Sequence, residues 1–239
     1  VYATISATFA KEFTLSSYEP FSDIYSRAVS RFGSETTLRN QLISPKSEQQ
    51  LLNISDDRWL SAFTQKIFQS GMNWQVVRNK WPNFETAFFQ FDVEKMLLIH
   101  DEMWEEKAKD PSIIRHFGKV MTIRENAIMM SEIQAKHESF AQFVATYPSN
   151  NIVELWQYLK KHGARLGGNT GAYTLRIMGK DTFLLTKDVE GYLRNQQILT
   201  TGRDTLAALK AAQSAFNHWH EESNLPYCQI SQCIAYSVN

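Results

Sequence analysis

An all-α fold is the class this sequence predicts, and three observations predict it. Apolar residues recur at helical spacing along most of the chain. Only 10 Gly and 6 Pro interrupt 239 residues, few enough to leave long helices unbroken. The one β-like run, Thr182 to Thr186, is short. A chain of this length suits one large domain or two small lobes. It buries roughly 70% of its unfolded surface on folding and needs no staple.

The elements follow in order. Residues 1–18 carry Thr, Ser and Ala without a period and read as an N-terminal arm, so the folded part is expected over 19–239. Phe21, Ile24, Tyr25, Ala28, Val29 and Phe32 share one helical face, and Gly33 is a stop. Ser34 caps a short helix through Leu38 and Leu42, and Ser44-Pro45 breaks the chain. Ser55-Asp56-Asp57 reads as a cap with acids in the first turn, opening a helix to Gly71. A helix from Trp74 to Trp81 is expected to end at Pro82. Asp92 and Asp101 each cap a short helix. Pro111 opens a longer one with Ile113, Phe117, Val120, Met121, Ala127 and Ile128 inward. Asn151 and Glu154 form a capping-box pattern before Ile152, Leu155, Trp156 and Leu159. Further helices are expected over 169–178, 187–195 and 203–221, and from Pro226 onward.

Composition bounds the function. Hydrophobic residues make up 43% and charged residues 21%, a globular balance. The formal net charge is zero, so a chain-wide basic signal for nucleic acid is absent. Two cysteines, Cys228 and Cys233, exclude a disulfide framework. Val1 to Phe13 holds no basic region followed by an apolar run, and no stretch of about 18 apolar residues occurs. A cytoplasmic protein is the expectation. No nucleophile-elbow serine, phosphate-binding loop, dinucleotide fingerprint or paired-histidine zinc motif is present.

The informative stretch lies between Leu159 and Tyr173. One helix ends, a turn with Gly163, Gly167 and Gly168 follows, and a second helix starts at Asn169 or Thr170. Glycines allow close backbone approach, and a helix start offers free N–H groups and a positive dipole end. Gly163, Arg165, Gly167, Gly168, Asn169 and Thr170 thus make a candidate site for a phosphate backbone, one that reads no base sequence. From 160 to 194 the chain has seven Lys or Arg against three acids, a surplus of four, while acids crowd residues 85–110. A plain turn and a solvated charged face fit the same features.

A second set of residues narrows the choice. Phe68-Gln-Ser-Gly-Met-Asn-Trp74, Val76-Val77, Lys80, Phe88-Phe-Gln-Phe-Asp92, Ile113-Ile-Arg-His-Phe-Gly-Lys119 and Asn126-Ala127 occur in one order. Together they resemble the bacterial DNA-3-methyladenine glycosylase I family of helix-hairpin-helix DNA glycosylases, over roughly residues 55–190. The resemblance implies a helical bundle of two lobes, with the hairpin at about 152–179. It implies a monofunctional enzyme that excises 3-methyladenine from double-stranded DNA, with the alkylated base flipped out, in base excision repair. A monomer without cofactor is expected. An inactive DNA-binding protein of the same fold, or a glycosylase for a different lesion, remains open.

The resemblance also implies roles. Trp74 stacks on the flipped base, with Lys66, Gln69 and Tyr173 around it. A glutamate that reads the base stands eight residues before the tryptophan in the family; here that position is Lys66, a donor only. The wider superfamily uses an Asp after the hairpin; Thr186 occupies that place by spacing, and Asp188 takes the role if the register shifts by two. The lyase Lys of bifunctional relatives is replaced by Thr170, so no lyase activity is expected. Typical members clip their termini with zinc held by Cys and His. This pattern is not found here, and His218, His220, Cys228 and Cys233 are the one other constellation. His218 and His220, two apart on a helix, diverge. No metal is therefore expected, two buried thiols are, and packing of residues 1–50 against 196–239 is expected to replace the clip.

Overall fold

Apolar periodicity becomes fourteen α-helices in the computed structural model, which describes residues 18–238. The arm expected over 1–18 lies, apart from Tyr18, outside the described residues. The helices are α1 (Phe21–Phe32), α2 (Glu35–Arg39), α3 (Glu48–Leu52), α4 (Asp56–Gln69), α5 (Trp74–Ala87), α6 (Val93–Leu97) and α7 (Asp101–Lys109). They continue as α8 (Phe117–Gln134), α9 (Phe140–Thr146), α10 (Ile152–His162), α11 (Asn169–Met178), α12 (Lys187–Asn195), α13 (Leu206–Ser223) and α14 (Tyr227–Ser237). No strand occurs among the described residues; 180–186 is an extended connection. No helix among them is long and apolar enough to cross a membrane.

The helices form two lobes. In one, α8 runs through the middle and touches α4, α6, α7 and α9. In the other, α14 packs against α1, α12 and α13, and α10 against α11 and α13. The lobes meet where α4 packs on α11, and α3 packs on α9. The terminal packing expected of 1–50 against 196–239 is present over the described part. Phe32 meets Tyr236 edge-on at 5.0 Å, and Arg31 donates to the Val238 carbonyl.

Caps set the boundaries. Gly33 and Gly179 adopt left-handed φ of 77° and 105° and end α1 and α11. Ser34 and Thr186 accept amides at the starts of α2 and α12. Ser47 and Gln50 form a capping box at α3, a helix not expected from the sequence. Asp56 reaches away from its own helix: its two oxygens accept from the Phe140 and Ala141 amides and cap α9.

Several expectations are corrected. The helix begun at Trp74 does not stop at Pro82 but runs to Ala87. Trp81 stacks on Phe84 at 4.9 Å and on Phe91 at 5.5 Å, and that aromatic packing carries the helix past the hydrogen bond that Pro82 cannot donate. Pro111 does not open α8. Residues 111–116 form a turn, and His116 caps the helix, its Nδ1 accepting from the Lys119 amide. Phe117 and Ile128, expected inward, are 53% and 41% exposed, while Val120, Ile123, Ala127 and Met130 face the core. Asn151 caps nothing with its side chain, because the Val153 amide is taken by Gln213 from α13. His100, not Asp101, is the cap residue of α7.

Candidate nucleic-acid interface and aromatic slot

Two residues close in sequence and a third about a hundred residues on meet where the lobes join. Lys66 lies on the last turns of α4, Trp74 begins α5, and Tyr173 lies on α11. The Lys66 ammonium sits 4.2 Å from the centroid of the Trp74 ring and 4.5 Å from that of Tyr173. Burial lowers the Lys66 pKa below the usual lysine range.

The local chain explains the placement. After Gln69, Gly71 turns the backbone at φ 73°. Asn73 then caps α5, its Oδ1 accepting from the Gln75 amide at 2.8 Å. The Trp74 indole N–H donates to the Gln69 carbonyl at 3.0 Å, which fixes the ring by one edge although Trp74 is 51% exposed. Gln69 is itself buried and supplies that carbonyl.

Helix α8 holds this turn and the glycine hairpin together. Buried Lys119 donates to the Ser70 carbonyl at 2.6 Å and the Phe68 carbonyl at 3.2 Å. Two turns on, fully buried Asn126 clasps Ala164: its Oδ1 accepts from the Ala164 amide at 2.8 Å and its Nδ2 donates to the Ala164 carbonyl at 3.3 Å. Neither residue carries a role in the sequence motifs; a lone Lys and a lone Asn on an apolar helical face are the signal that marks them.

The hairpin spans 163–168 between α10 and α11. A Cβ on Gly163 would stand 2.6 Å from Leu166 Cδ1 and 2.8 Å from the Leu159 carbonyl oxygen, so any other residue must displace backbone. Gly168 turns at φ 57°, ψ −132°, and Gly167 lies against the Lys160 side chain. The amides of Thr170 and Gly171 already donate to the carbonyls of Gly167 and Leu166. The Asn169 side chain turns inward and donates to the Leu185 carbonyl. The Gly168 and Asn169 amides have no acceptor among the described residues. Exposed Arg165 lies against Gly118 at the start of α8.

The basic surplus is smaller at the surface than by count. Arg176 turns inward to the Cys228 carbonyl and Ser231 Oγ. Lys180 is buried, donating to the carbonyls of Ala145 and Tyr147. Arg194 pairs with Glu190 at 2.8 Å. Lys160, Lys161, Arg165 and Lys187 remain exposed, joined by Arg115 beside the start of α8.

Next to the slot a cleft of about 570 Å³ is lined by Tyr173, Thr186, Arg176, Leu184, Ser44 and Lys46 among others. Thr186 Oγ1 accepts from the Val189 amide. Asp188 is exposed on the first turn of α12 and does not line the cleft. The four possible zinc ligands do not fit a metal. His218 faces Glu222, and His220 Nδ1 bonds the Leu225 carbonyl. Cys228 and Cys233 are free buried thiols, and no group of three or more ligating residues converges among the described residues.

The architecture is thus all-helical, with a glycine hairpin beside an aromatic slot where the lobes join. The family model described as methyladenine glycosylase matches residues 52–174, and the chain belongs to that family. DNA-3-methyladenine glycosylase 1 of Escherichia coli K12 is 34% identical over 79 residues, 33% of this chain. The chain spans 42% of the length of that curated relative. A crystal structure of a 3-methyladenine DNA glycosylase I shares 23% identity over 69% of this chain and 88% of its own, with a TM-score of 0.45. The Staphylococcus aureus 3-methyladenine DNA glycosylase I, solved for its recognition of 3-methyladenine, shares 17% over 62% and 88%, with a TM-score of 0.48.

Proposed function

We propose that this chain is a monofunctional DNA glycosylase that releases 3-methyladenine from double-stranded DNA in base excision repair, acting as a monomer. One observation carries the reading: Trp74 and Tyr173 form two aromatic faces at the junction of the lobes, next to the hairpin held by Asn126. A flipped base needs such walls, and the relatives named above act on 3-methyladenine.

The chemistry asks little of the protein. In the nucleotide, 3-methyladenine is cationic and therefore a good leaving group. Water adds to C1′ as the C1′–N9 bond breaks; the electron pair departs with the base, which leaves neutral, and the water's second proton passes to solvent. Aromatic faces attract the cationic ring. The hairpin amides of Gly168 and Asn169, with Arg165, grip the phosphates on either side. Thr186 lines the same cleft as Tyr173; on this reading its hydroxyl faces the sugar of the bound nucleotide and orients the water. Asp188, on the first turn of α12 and outside the cleft, serves the helix dipole.

The test is release of free 3-methyladenine from methylated duplex DNA by the purified protein, read by chromatography. Release supports the reading. No release, with DNA binding that falls steeply with salt, favours a second reading: a DNA-binding protein of the same fold, or a glycosylase for another lesion. Lys66 within the slot is the observation behind that alternative.

A further inference from the structure

The slot is not vacant. The Lys66 ammonium stands over both rings at once, at 4.2 Å and 4.5 Å, the place a flat cation would take. Trp74 and Tyr173 reach it from different lobes, so it is enclosed from two sides. Among the described residues Lys66 has no ion-pair partner and no hydrogen-bond acceptor, and burial with no charged neighbour lowers its pKa. Among the described residues its charge faces only the two π-faces.

We propose that Lys66 is the specificity-determining residue of the slot: a resident cation that an incoming base must displace, so that the slot admits an uncharged purine more readily than a positively charged one. This rests on the reading of the slot as a base site. A methylated adenine in DNA carries its positive charge across the ring and seeks the same two faces. Two cations in one half-buried slot repel each other, with less screening than in water. An uncharged purine meets no such repulsion, and its ring nitrogens or a carbonyl accept from the displaced ammonium, which has three donors and no acceptor. Lys66 thus restrains excision of 3-methyladenine, which proceeds as the side chain withdraws.

Binding of two small probes tests this without any excision. The 3,9-dimethyladeninium ion carries the fixed charge of the intact lesion; 9-methyladenine has the same ring without it. Affinity is measured by calorimetry and by tryptophan fluorescence for the wild type, Lys66→Met, Lys66→Gln and Lys66→Arg. The wild type should bind the uncharged probe more tightly than the cation. Removing the charge in Lys66→Met or Lys66→Gln should tighten the cation about tenfold and move the uncharged probe less than about twofold, the scale expected for one cation–π site. Lys66→Arg should behave as the wild type. Equal cation affinity in the wild type and Lys66→Met overturns the proposal, as does failure of both neutral variants to bind either probe. If the affinities shift as expected but no variant releases a base from damaged DNA, the glycosylase reading fails and the assignment of Lys66 stands.

Discussion

Lys119 on α8 donates to the Ser70 carbonyl at 2.6 Å and so ties the central helix of one lobe to the turn that presents Trp74. The same ammonium also reaches the Phe68 carbonyl, capping the end of α4. Lys119→Met keeps the length of the side chain but leaves two carbonyls without their donor. Hydrogen bonds to a charged group contribute roughly 1.5–3 kcal/mol, so thermal or urea unfolding should show a loss in that range. Base release should fall by more than the stability loss explains, because the turn before Trp74 loosens, while affinity for undamaged DNA stays close to that of the wild type.

The hairpin is built for contact of backbone with backbone. A Cβ on Gly171 would stand 2.6 Å from the Leu166 carbonyl oxygen and 3.3 Å from Leu159 Cδ1, so Gly171→Ala must push the loop off α11. Overpacking of this kind costs about 1–3 kcal/mol, and DNA affinity should fall with it. Arg165→Ala tests the charge instead. It should fold normally and weaken binding to every duplex alike, lowering the slope of log affinity against log salt by about 0.9, the share of one phosphate contact. An unchanged slope would remove Arg165 from the interface.

The two thiols should be chemically quiet. Burial pushes Cys228 and Cys233 up to about 12 from 9.0, so neither carries thiolate at neutral pH. Ellman's reagent at pH 8 should find almost no reactive thiol in the folded protein and two in urea. In the unfolded chain the thiols lose their protons near pH 9, while the folded chain keeps them until about 12. The unfolded state therefore binds fewer protons in that window, and the two thiols make stability fall as pH rises from 9 toward 12. Cys228→Ala with Cys233→Ala should flatten that part of the profile.

Much of the helix order was legible because glycines and hydroxyl caps punctuate it. Gly33, Gly179 and Thr186 mark boundaries that local backbone geometry enforces. Pro82 misled because a local rule met a stronger tertiary fact, the stack of Trp81 with Phe84 and Phe91. The start of α8 was misplaced because Pro111 looks like a first helical residue, whereas the cap is a histidine ring, a rarer device. Charge counting placed Arg176 and Lys180 on a basic face, since a count carries no direction; both turn inward to backbone carbonyls. The hairpin was readable from its glycines. The slot was not readable from spacing, because Lys66 and Trp74 are brought to Tyr173 only by packing of α4 on α11.

The central claim is that Trp74 and Tyr173 hold the flipped base, and single-turnover release of 3-methyladenine from a methylated duplex tests it most directly. Trp74→Ala and Tyr173→Ala should each slow release at least about tenfold, as expected when one aromatic stacking partner worth roughly 1–3 kcal/mol is removed, with affinity for undamaged DNA unchanged. Release by Trp74→Ala at the wild-type rate would contradict the account.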